Sequence, residues 1–230
     1  MGQTVGFLAD VLRGRARVLE VGCGRGDVAR RLGAAGFRVT AIDLELPDPS
    51  PAPNVAFLER DFLRFEADPF DAVVFAASLH HISPLDAAIE RSYRLLQRGG
   101  LFVADDFDVD APNLQTLRWY YDTQELLAAA DMFPRDRLGP LTGDPVARWR
   151  AAHIDDPPLH TGVEMRRAVA ERFSLRDVHG AAYLYRHITK HLPHDARGVA
   201  VAQYLYNTER RGITDGTLSA VGLGIVAARA

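Results

Sequence analysis

The residues best suited to chemistry begin with a glycine-rich stretch near the N-terminus, Leu-Glu-Val-Gly-Cys-Gly-Arg-Gly-Asp at residues 19–27. It follows an apolar run that is typical of a buried strand, and it precedes apolar residues at helical spacing. A tight strand-to-helix turn explains one glycine, but three at alternate positions indicate that the backbone also approaches a ligand closely. The stretch therefore predicts a ligand-binding turn at the start of a helix.

A dinucleotide site is one interpretation of such a turn. Its fingerprint places a glycine at the sixth position counted from Gly22, where this chain has Asp27. An anionic side chain at a helix start competes with a pyrophosphate for the positive end of the helix dipole. The stretch therefore disfavours NAD and a NAD-dependent oxidoreductase.

The same stretch resembles the first motif of the class I S-adenosylmethionine-dependent methyltransferases, an acidic residue followed by Gly-x-Gly-x-Gly. The resemblance covers roughly residues 15–106, because further motifs follow in the family's order. It implies S-adenosyl-L-methionine as the cofactor, and it assigns cofactor binding in this first motif to Glu20, Gly22, Cys23, Gly24 and Gly26.

The resemblance also implies contacts with the adenosine part of the cofactor. Asp43 closes the second predicted strand, where the family places a carboxylate on the ribose hydroxyls, and a carboxylate suits a diol. Asp61 and Phe62 follow the third strand, where similar enzymes contact the adenine amino group and ring. Leu44 is expected on the other face of the adenine.

The fourth predicted strand ends in Ala77, Ser78, Leu79, His80 and His81. In similar enzymes the methionine part of the cofactor lies beside this end, which implies contacts with the first two residues. Relatives that modify nucleic-acid amines often carry an Asn-Pro-Pro-Tyr-like sequence here, whereas a Leu-His-His end is familiar from small-molecule enzymes. The absence of the Asn-Pro-Pro-Tyr-like sequence at this position favours a small-molecule acceptor over nucleic acid.

A histidine at this strand end suits the removal of a hydroxyl proton at neutral pH. We expect His81 to be the general base, because His80 is closer to the apolar strand and is expected to be held by packing. Oxygen is then the preferred acceptor atom. A nitrogen acceptor is the alternative, since a neutral amine needs no base.

Acidic residues after the fifth predicted strand, at 105, 106 and 108, offer oxygen ligands for magnesium. Metal-dependent relatives also have a carboxylate after the fourth strand, and this chain has none there. We therefore expect no metal, and we expect Asp105, Asp106 and Asp108 to be solvated or to anchor a cap.

Strand-like and helix-like patterns alternate through the first hundred residues, which predicts a parallel sheet covered on both faces. Ser83 and Pro84 are expected to begin a helix as N-cap and first-turn proline, and Gly99 and Gly100 to end it. With the resemblance, the fold class is α/β, a doubly wound, mostly parallel seven-stranded sheet (Rossmann-like) with an inserted, partly helical cap. The predicted strands are 17–21, 37–42, 55–58, 70–77, 101–104, 175–178, 182–188 and 218–228, and the predicted helices are near 3–13, 25–35, 114–130, 162–172 and 196–210.

The alternation fails after Asp108, and Pro134–Pro158 is expected to be irregular. A segment of this length is typical of a lid rather than of a simple connection. We expect one methyltransferase domain over residues 1–230, with residues 108–161 inserted as a cap or lid. Second-tier candidates for a chemical role are His153, His160, Tyr185, His187 and His191.

Composition excludes several partners. The formal net charge of −3, from 30 acidic and 27 basic residues, gives no broad positive field for nucleic acid. No run approaches the ~20 apolar residues of a membrane span. Cys23 is the sole cysteine, so no internal disulfide can form, which favours a reducing cytoplasm. Lys190 is the sole lysine among 27 basic residues, which favours a high-GC bacterial genome. A non-catalytic or regulatory S-adenosylmethionine-binding protein is the remaining alternative, and the sequence leaves the oligomeric state undetermined.

Overall fold

The computed structural model describes residues 2–47, 50–138, 143–154 and 158–230. By its internal contacts the chain divides into two compact units. The first unit is Met1–Phe107, His160–His179 and Leu223–Ala230, and the second is Asp108–Leu159 and Gly180–Gly222. The expected cap, residues 108–161, overlaps the second unit in sequence, and its role as a lid stays a prediction.

In the part of the chain that the structure describes, seven strands form one sheet in the order β3-β2-β1-β4-β5-β7-β6. Strand β1 pairs in parallel with β2 and β4, β2 pairs in parallel with β3, and β4 pairs in parallel with β5. This order confirms the predicted doubly wound α/β fold. The strands are β1 (Arg17–Val21), β2 (Arg38–Asp43), β3 (Val55–Glu59), β4 (Phe70–Ala76), β5 (Leu96–Phe107), β6 (Ser174–Ala181) and β7 (Gly222–Ala228).

Helices alternate with the strands and fill the segment between β5 and β6. They are α1 (Gly2–Val11), α2 (Asp27–Ala34), α3 (Leu85–Leu95), α4 (Leu114–Ala129), α5 (Pro145–Ala152), α6 (Gly162–Arg172), α7 (Leu184–Thr189) and α8 (Ala196–Thr214). Within the described ranges, none of these helices combines the length and the apolar character that a membrane crossing requires.

The central strands are apolar because helices cover both faces of the sheet. Successive residues of a strand point to opposite faces. Val18 of β1 belongs to one buried cluster with Leu8 of α1 and Leu32 of α2. Its neighbour Leu19 belongs to the other cluster, with Ile89 of α3. Burying each such side chain stabilises the fold by about 1.5–3 kcal/mol, so the two clusters fix both layers of helices onto the sheet.

The boundary between α3 and β5 differs from the prediction. Pro84 has extended backbone and occupies the N-cap position without a side-chain hydrogen bond, so Ser83 is not the cap. The helix ends at Leu95, and β5 begins at the next residue. Gly99 and Gly100 therefore lie within a strand rather than at a helix end, in a stretch where the pairing with β4 is irregular.

The strand expected over residues 182–188 is wrong, because this segment is mostly the helix α7. The carboxylate of Glu209, fully buried on α8, accepts hydrogen bonds from the backbone N–H groups of Tyr183, Leu184 and Tyr185 at 2.7–2.9 Å. These are N–H groups that a helix start leaves without partners. A distant carboxylate therefore overrides a local pattern that is typical of a strand.

The segment Pro134–Pro158, expected to be irregular, contains the helix α5. Asp144 caps it by accepting hydrogen bonds from the N–H groups of Val146 and Ala147. Trp149 on this helix is buried, and its indole Nε1–H donates to the carbonyl of Val109 at 2.7 Å. Residues 139–142 and 155–157 of the segment lie outside the described residues.

Asp71 joins the starts of three strands at the edge of the sheet where β1 and β4 begin. Its Oδ2 accepts hydrogen bonds from the N–H groups of Ala16 and Arg17 at 2.7 and 2.8 Å, and its Oδ1 accepts one from Gln97 Nε2 at 2.6 Å. The backbone hydrogen bond from Arg17 is the main cause that lowers the pKa of the Asp71 carboxyl. The ionised form is therefore the one that the fold stabilises.

Asp71→Asn should lower the free energy of unfolding at pH 7 by about 1–3 kcal/mol, because an amide cannot accept all three hydrogen bonds. Since the folded pKa of Asp71 is lowered, its contribution is present above the unfolded pKa and is lost as the pH falls through the folded value. Urea denaturation should show a difference in the free energy of unfolding between parent and variant at pH 7, and this difference should disappear at a pH below both the folded and the unfolded pKa. Equal stability at pH 7 would contradict this role.

Candidate functional site

A cavity of about 500 Å³ lies in the first unit, where β1, β2 and β4 end. Parallel α/β sheets bind ligands beyond the carboxyl ends of their strands, and this volume is within the range of small-molecule sites. Its lining residues are Val21, Gly22, Ile42, Asp43, Leu44, Arg60, Asp61, Phe62, Leu63, Ala77, Ser78, His81, Ile82 and Ser83.

Most of the residues singled out from the sequence line this cavity: Gly22, Asp43, Leu44, Asp61, Phe62, Ala77, Ser78 and His81. Five others are not part of the lining: Glu20, Cys23, Gly24, Gly26 and His80. Sequence reasoning missed Val21, Ile42, Arg60, Leu63, Ile82 and Ser83. Five of these are sequence neighbours of a predicted site residue and Ser83 is two residues from His81, and this proximity is the signal that could have found them.

The three glycines of the turn differ in what surrounds them. A Cβ on Gly22 would lie 2.5 Å from the Cβ of Ser78, and one on Gly26 would lie 2.3 Å from the ring of Phe57. A Cβ on Gly24 would meet nothing within 4 Å among the described residues. Two glycines therefore serve the protein's own packing, while Gly24 leaves open backbone that a ligand can approach, as the expected cofactor requires.

Asp43 is half-buried and is held by the turn that carries Gly22, Gly24 and Gly26, which is named the glycine turn. Its Oδ2 accepts a hydrogen bond from the N–H of Gly24 at 2.7 Å, and its Oδ1 accepts one from the N–H of Leu44 at 2.7 Å. Each carboxylate oxygen has a further lone pair, so each can still accept a hydrogen bond from a hydroxyl group. The arrangement fits a diol such as the ribose of the expected cofactor.

Asp61 and Phe62 begin a short 3₁₀ turn after β3. Asp61 caps this turn by accepting a hydrogen bond from the N–H of Leu63 at 2.9 Å. The ring of Phe62 is buried and contacts Phe75 edge to face at 5.6 Å between centroids. Both residues therefore have a structural role in addition to lining the cavity.

A single 3₁₀ turn, Leu79–His81, follows β4 and is called the histidine turn below. His80 is buried, and its Nδ1 lies 2.5 Å from Oδ1 of Asp106. His81 is exposed and lies on the cavity wall. The two imidazole rings are 4.0 Å apart between centroids, so adjacent residues of one type occupy different environments.

Two of the three acidic residues at the end of β5 are buried, so the solvated alternative is wrong for Asp105 and Asp106, while the role of anchoring a cap stays a prediction. Asp105 is 6% exposed and Asp106 is fully buried. Within the described residues, no group of three or more His, Cys, Asp or Glu side chains is placed to hold a metal ion. Burial follows from the length of β5, which continues through both residues to Phe107.

Glu20 lies buried at the end of β1. Burial raises the pKa of its carboxyl to about 8, the charges of Asp27 and Asp43 add to this effect, and a hydrogen bond from the backbone of Ala29 opposes it. Its Oε2 has no hydrogen-bond partner among the described atoms. A carboxyl with this pKa is mostly protonated at pH 7, and Glu20 is not part of the cavity lining, so it is a buried, largely neutral group beside the glycine turn.

Glu20→Gln should flatten the pH dependence of stability. Because its pKa is raised from 4.5 to about 8, the folded state holds one more proton than the unfolded state between these values. Stability therefore falls as the pH rises through this window. From pH 5 to pH 8 the parent should lose on the order of 3 kcal/mol more than the variant, measured by urea denaturation. Parallel profiles would show that Glu20 does not titrate abnormally.

A family model described as a methyltransferase domain matches residues 1–141, which is more than half of the 230 residues. One curated relative is the ubiquinone/menaquinone biosynthesis C-methyltransferase UbiE of Rhizobium johnstonii, 32% identical over 117 residues that cover 44% of this chain and 45% of that protein. Another is the mitochondrial arginine-hydroxylase NDUFAF5 of Mus musculus, 30% identical over 109 residues, 44% of this chain and 32% of that protein. The matches thus span less than half the length of either relative.

Among solved structures, the geranyl diphosphate C-methyltransferase of Streptomyces coelicolor A3(2) has the same fold. That structure contains Mg²⁺, geranyl diphosphate and S-adenosyl-L-homocysteine. It matches with a TM-score of 0.57 and 17% identity, over 100% of this chain and 80% of that chain.

The matched residues include the glycine turn and the ends of β1 to β4 with the residues that follow them, and these line the cavity. The order of the motifs, the order of the strands and the family model all indicate a methyltransferase domain. The chain belongs to the methyltransferase domain family, among the class I S-adenosylmethionine-dependent methyltransferases.

Proposed function

We propose that this chain transfers the methyl group of S-adenosylmethionine to a small organic acceptor, preferably to an oxygen atom, with His81 as the general base. The observation that carries this proposal is a shared cavity. His81 lines the same cavity as Asp43 and Asp61, the carboxylates proposed to contact the cofactor. A base and a methyl donor would thus meet in one cavity of the first unit.

The cofactor would be held by the glycine turn and by the strand ends on either side of it. Gly24 offers open backbone, Asp43 offers carboxylate oxygens to the ribose, and Asp61 with Phe62 offers a polar and an aromatic contact to the adenine. The cofactor supplies an electrophilic methyl group on a sulfonium. The chain's own task is then to align the acceptor and to exclude water.

A hydroxyl acceptor must lose its proton as the new bond forms, and an imidazole can take that proton at neutral pH. The exposure of His81 lets an acceptor reach its ring. His80 is less suited to this step, since it is buried and its Nδ1 is engaged by Asp106. These two environments support His81 as the base.

Two further candidates have specific support. The relatives named as C-methyltransferases favour a carbon acceptor, which also loses a proton and would use the same base. The relative named as an arginine-hydroxylase supports a chain that binds the cofactor without transferring its methyl group. Mass spectrometry after incubation with labelled S-adenosylmethionine and a panel of phenols, amines and enolisable ketones separates oxygen, nitrogen and carbon transfer. No labelled product with any acceptor would overturn the proposal.

Asp43→Ala should weaken binding of S-adenosylhomocysteine by about 1.5–3 kcal/mol, since hydrogen bonds to a charged group are lost. Calorimetry gives the dissociation constant. Asp71→Asn is the matched control, because it changes a hydrogen-bonded carboxylate that is not part of the cavity lining. NADH in the same experiment should show no binding. An unchanged constant in Asp43→Ala would remove this residue from the site.

His81→Ala should lower kcat by ~10²–10⁴-fold with little change in cofactor affinity, because acid–base catalysis supplies that range. His179→Ala is the matched control, since it removes a histidine of the first unit that is not part of the cavity lining. Near-normal turnover in His81→Ala would leave a mechanism of alignment alone, most simply at a nitrogen acceptor.

A further inference from the structure

Asp106, the penultimate residue of β5, is a hub of hydrogen bonds inside the first unit. Its Oδ2 accepts from the backbone N–H of Leu79 at 2.9 Å and, more weakly, from that of His80 at 3.4 Å. Its Oδ1 accepts from the N–H of Phe107 at 2.9 Å and lies 2.5 Å from Nδ1 of His80. Three of these four contacts go to the histidine turn.

The hydrogen bond between Asp106 and His80 also holds the imidazole ring, since Oδ1 of Asp106 and Nδ1 of His80 lie 2.5 Å apart. A buried carboxyl group that loses its hydrogen-bond partners is destabilising, so the fold needs these contacts at this point. The ring of His80 is further confined by Phe107, edge to face at 4.6 Å between centroids.

His160 holds the histidine turn through its carbonyl groups. The backbone N–H of His160 donates to the carbonyl of His80 at 2.9 Å, and its ring Nε2 donates to the carbonyl of Ile82 at 3.0 Å. Asp106 thus engages the N–H groups of this segment and His160 engages its carbonyl groups. His81, between the two anchored residues, is the exposed member and lies on the cavity wall.

We propose that Asp106 and His80 are positioning residues for His81, with His160 as a second support. Asp106 fixes the ring and backbone of His80, and the ring of His80 contacts that of His81 at 4.0 Å between centroids with the planes tilted by 43°. His160 fixes the carbonyl groups on either side of His81. None of the three is part of the cavity lining. The inference rests on the proposed function, because it concerns the residue proposed there as the base.

The main test compares Asp106→Asn with Asp71→Asn. Both variants replace a carboxylate that forms hydrogen bonds with backbone and side-chain groups of the first unit. Asp71 lies where β4 begins, whereas Asp106 contacts the histidine turn after the end of β4. We expect Asp106→Asn to lower kcat by about 10²-fold, the cost of a misplacement near 1 Å, and to leave the affinity for S-adenosylhomocysteine within about twofold. Asp71→Asn should leave kcat and this affinity unchanged. An unchanged kcat in Asp106→Asn would overturn the proposal.

Variants of His80 separate positioning from catalysis. The side-chain amide of asparagine can replace the Nδ1–H donor to Asp106, but it cannot act as a base. His80→Asn should therefore restore most of the kcat that His80→Ala loses. Equal loss in both variants would mean that kcat requires the imidazole ring of His80 and not its hydrogen bond to Asp106, and the positioning role assigned to that hydrogen bond would be wrong.

Nuclear magnetic resonance of ¹⁵N-histidine-labelled protein with S-adenosylhomocysteine gives a readout that needs no acceptor. Asp106→Asn should shift the ring signals of both His80 and His81, whereas Asp71→Asn should shift neither. An unmoved His81 signal in Asp106→Asn would overturn the inference even if no methyl transfer is found. Failure to find an acceptor, with the His81 signal displaced, would count against the proposed function alone.

His160 provides a second route if Asp106→Asn does not fold. His160→Gln keeps a donor near the position of Nε2, whereas His160→Ala removes it. We expect His160→Ala to lower kcat and to displace the His81 signal, and His160→Gln to restore most of both. Identical behaviour of the two variants would contradict a supporting role for the ring of His160.

Discussion

The ends of β1 and β4 approach each other so closely that no side chain fits between them. Ser78 donates its hydroxyl hydrogen to the carbonyl of Val21 at 2.6 Å, and a Cβ on Gly22 would lie 2.5 Å from the Cβ of Ser78. This contact sets where the glycine turn leaves β1 and where the histidine turn leaves β4. The cavity between these turns exists because the two strands end in register at one edge of a parallel sheet.

Three buried carboxylates show how differently the fold treats charge. Asp106 and Glu209 each accept several N–H groups, and in both cases the acceptor fixes a turn or a helix start far away in sequence. Glu20 has an oxygen without a partner among the described atoms, and burial raises the pKa of its carboxyl. Burial raises the pKa of the Glu209 carboxyl as well, and the hydrogen bonds from three backbone N–H groups oppose this effect. Glu20 differs from the other two in the oxygen that no described group satisfies.

The two histidines after β4 illustrate how one sequence feature acquires two roles. Both have the same chemistry, and both follow the same apolar strand. Asp106 and Phe107 enclose the first, while the second is left exposed at the cavity. A base must be reachable by its substrate and still be held in place, and the pairing of a buried with an exposed imidazole meets both needs. This is why the proposed chemistry is assigned to the second histidine.

The sequence alone determined the doubly wound sheet, because the period of apolar residues and the glycine turn are local signals. The predicted strand at 17–21 and helix at 162–172 have the observed bounds. Local signals failed where a distant group decided the outcome. Residues 182–188 resemble a strand, yet Glu209 caps them as a helix from 20 or more positions away.

The site likewise combines residues that local sequence signals reveal with contacts that only distant residues decide. Gly22, Asp43 and Asp61 could be found from the sequence because each follows a recognisable strand, and strand ends of a parallel sheet meet at one edge. What the sequence could not reveal is that Gly22 and Gly26 serve packing, or that Asp106 and His160 anchor the turn that carries His81. Such contacts join residues about 26 and 80 positions apart, and only the tertiary structure fixes which side chains meet over those separations.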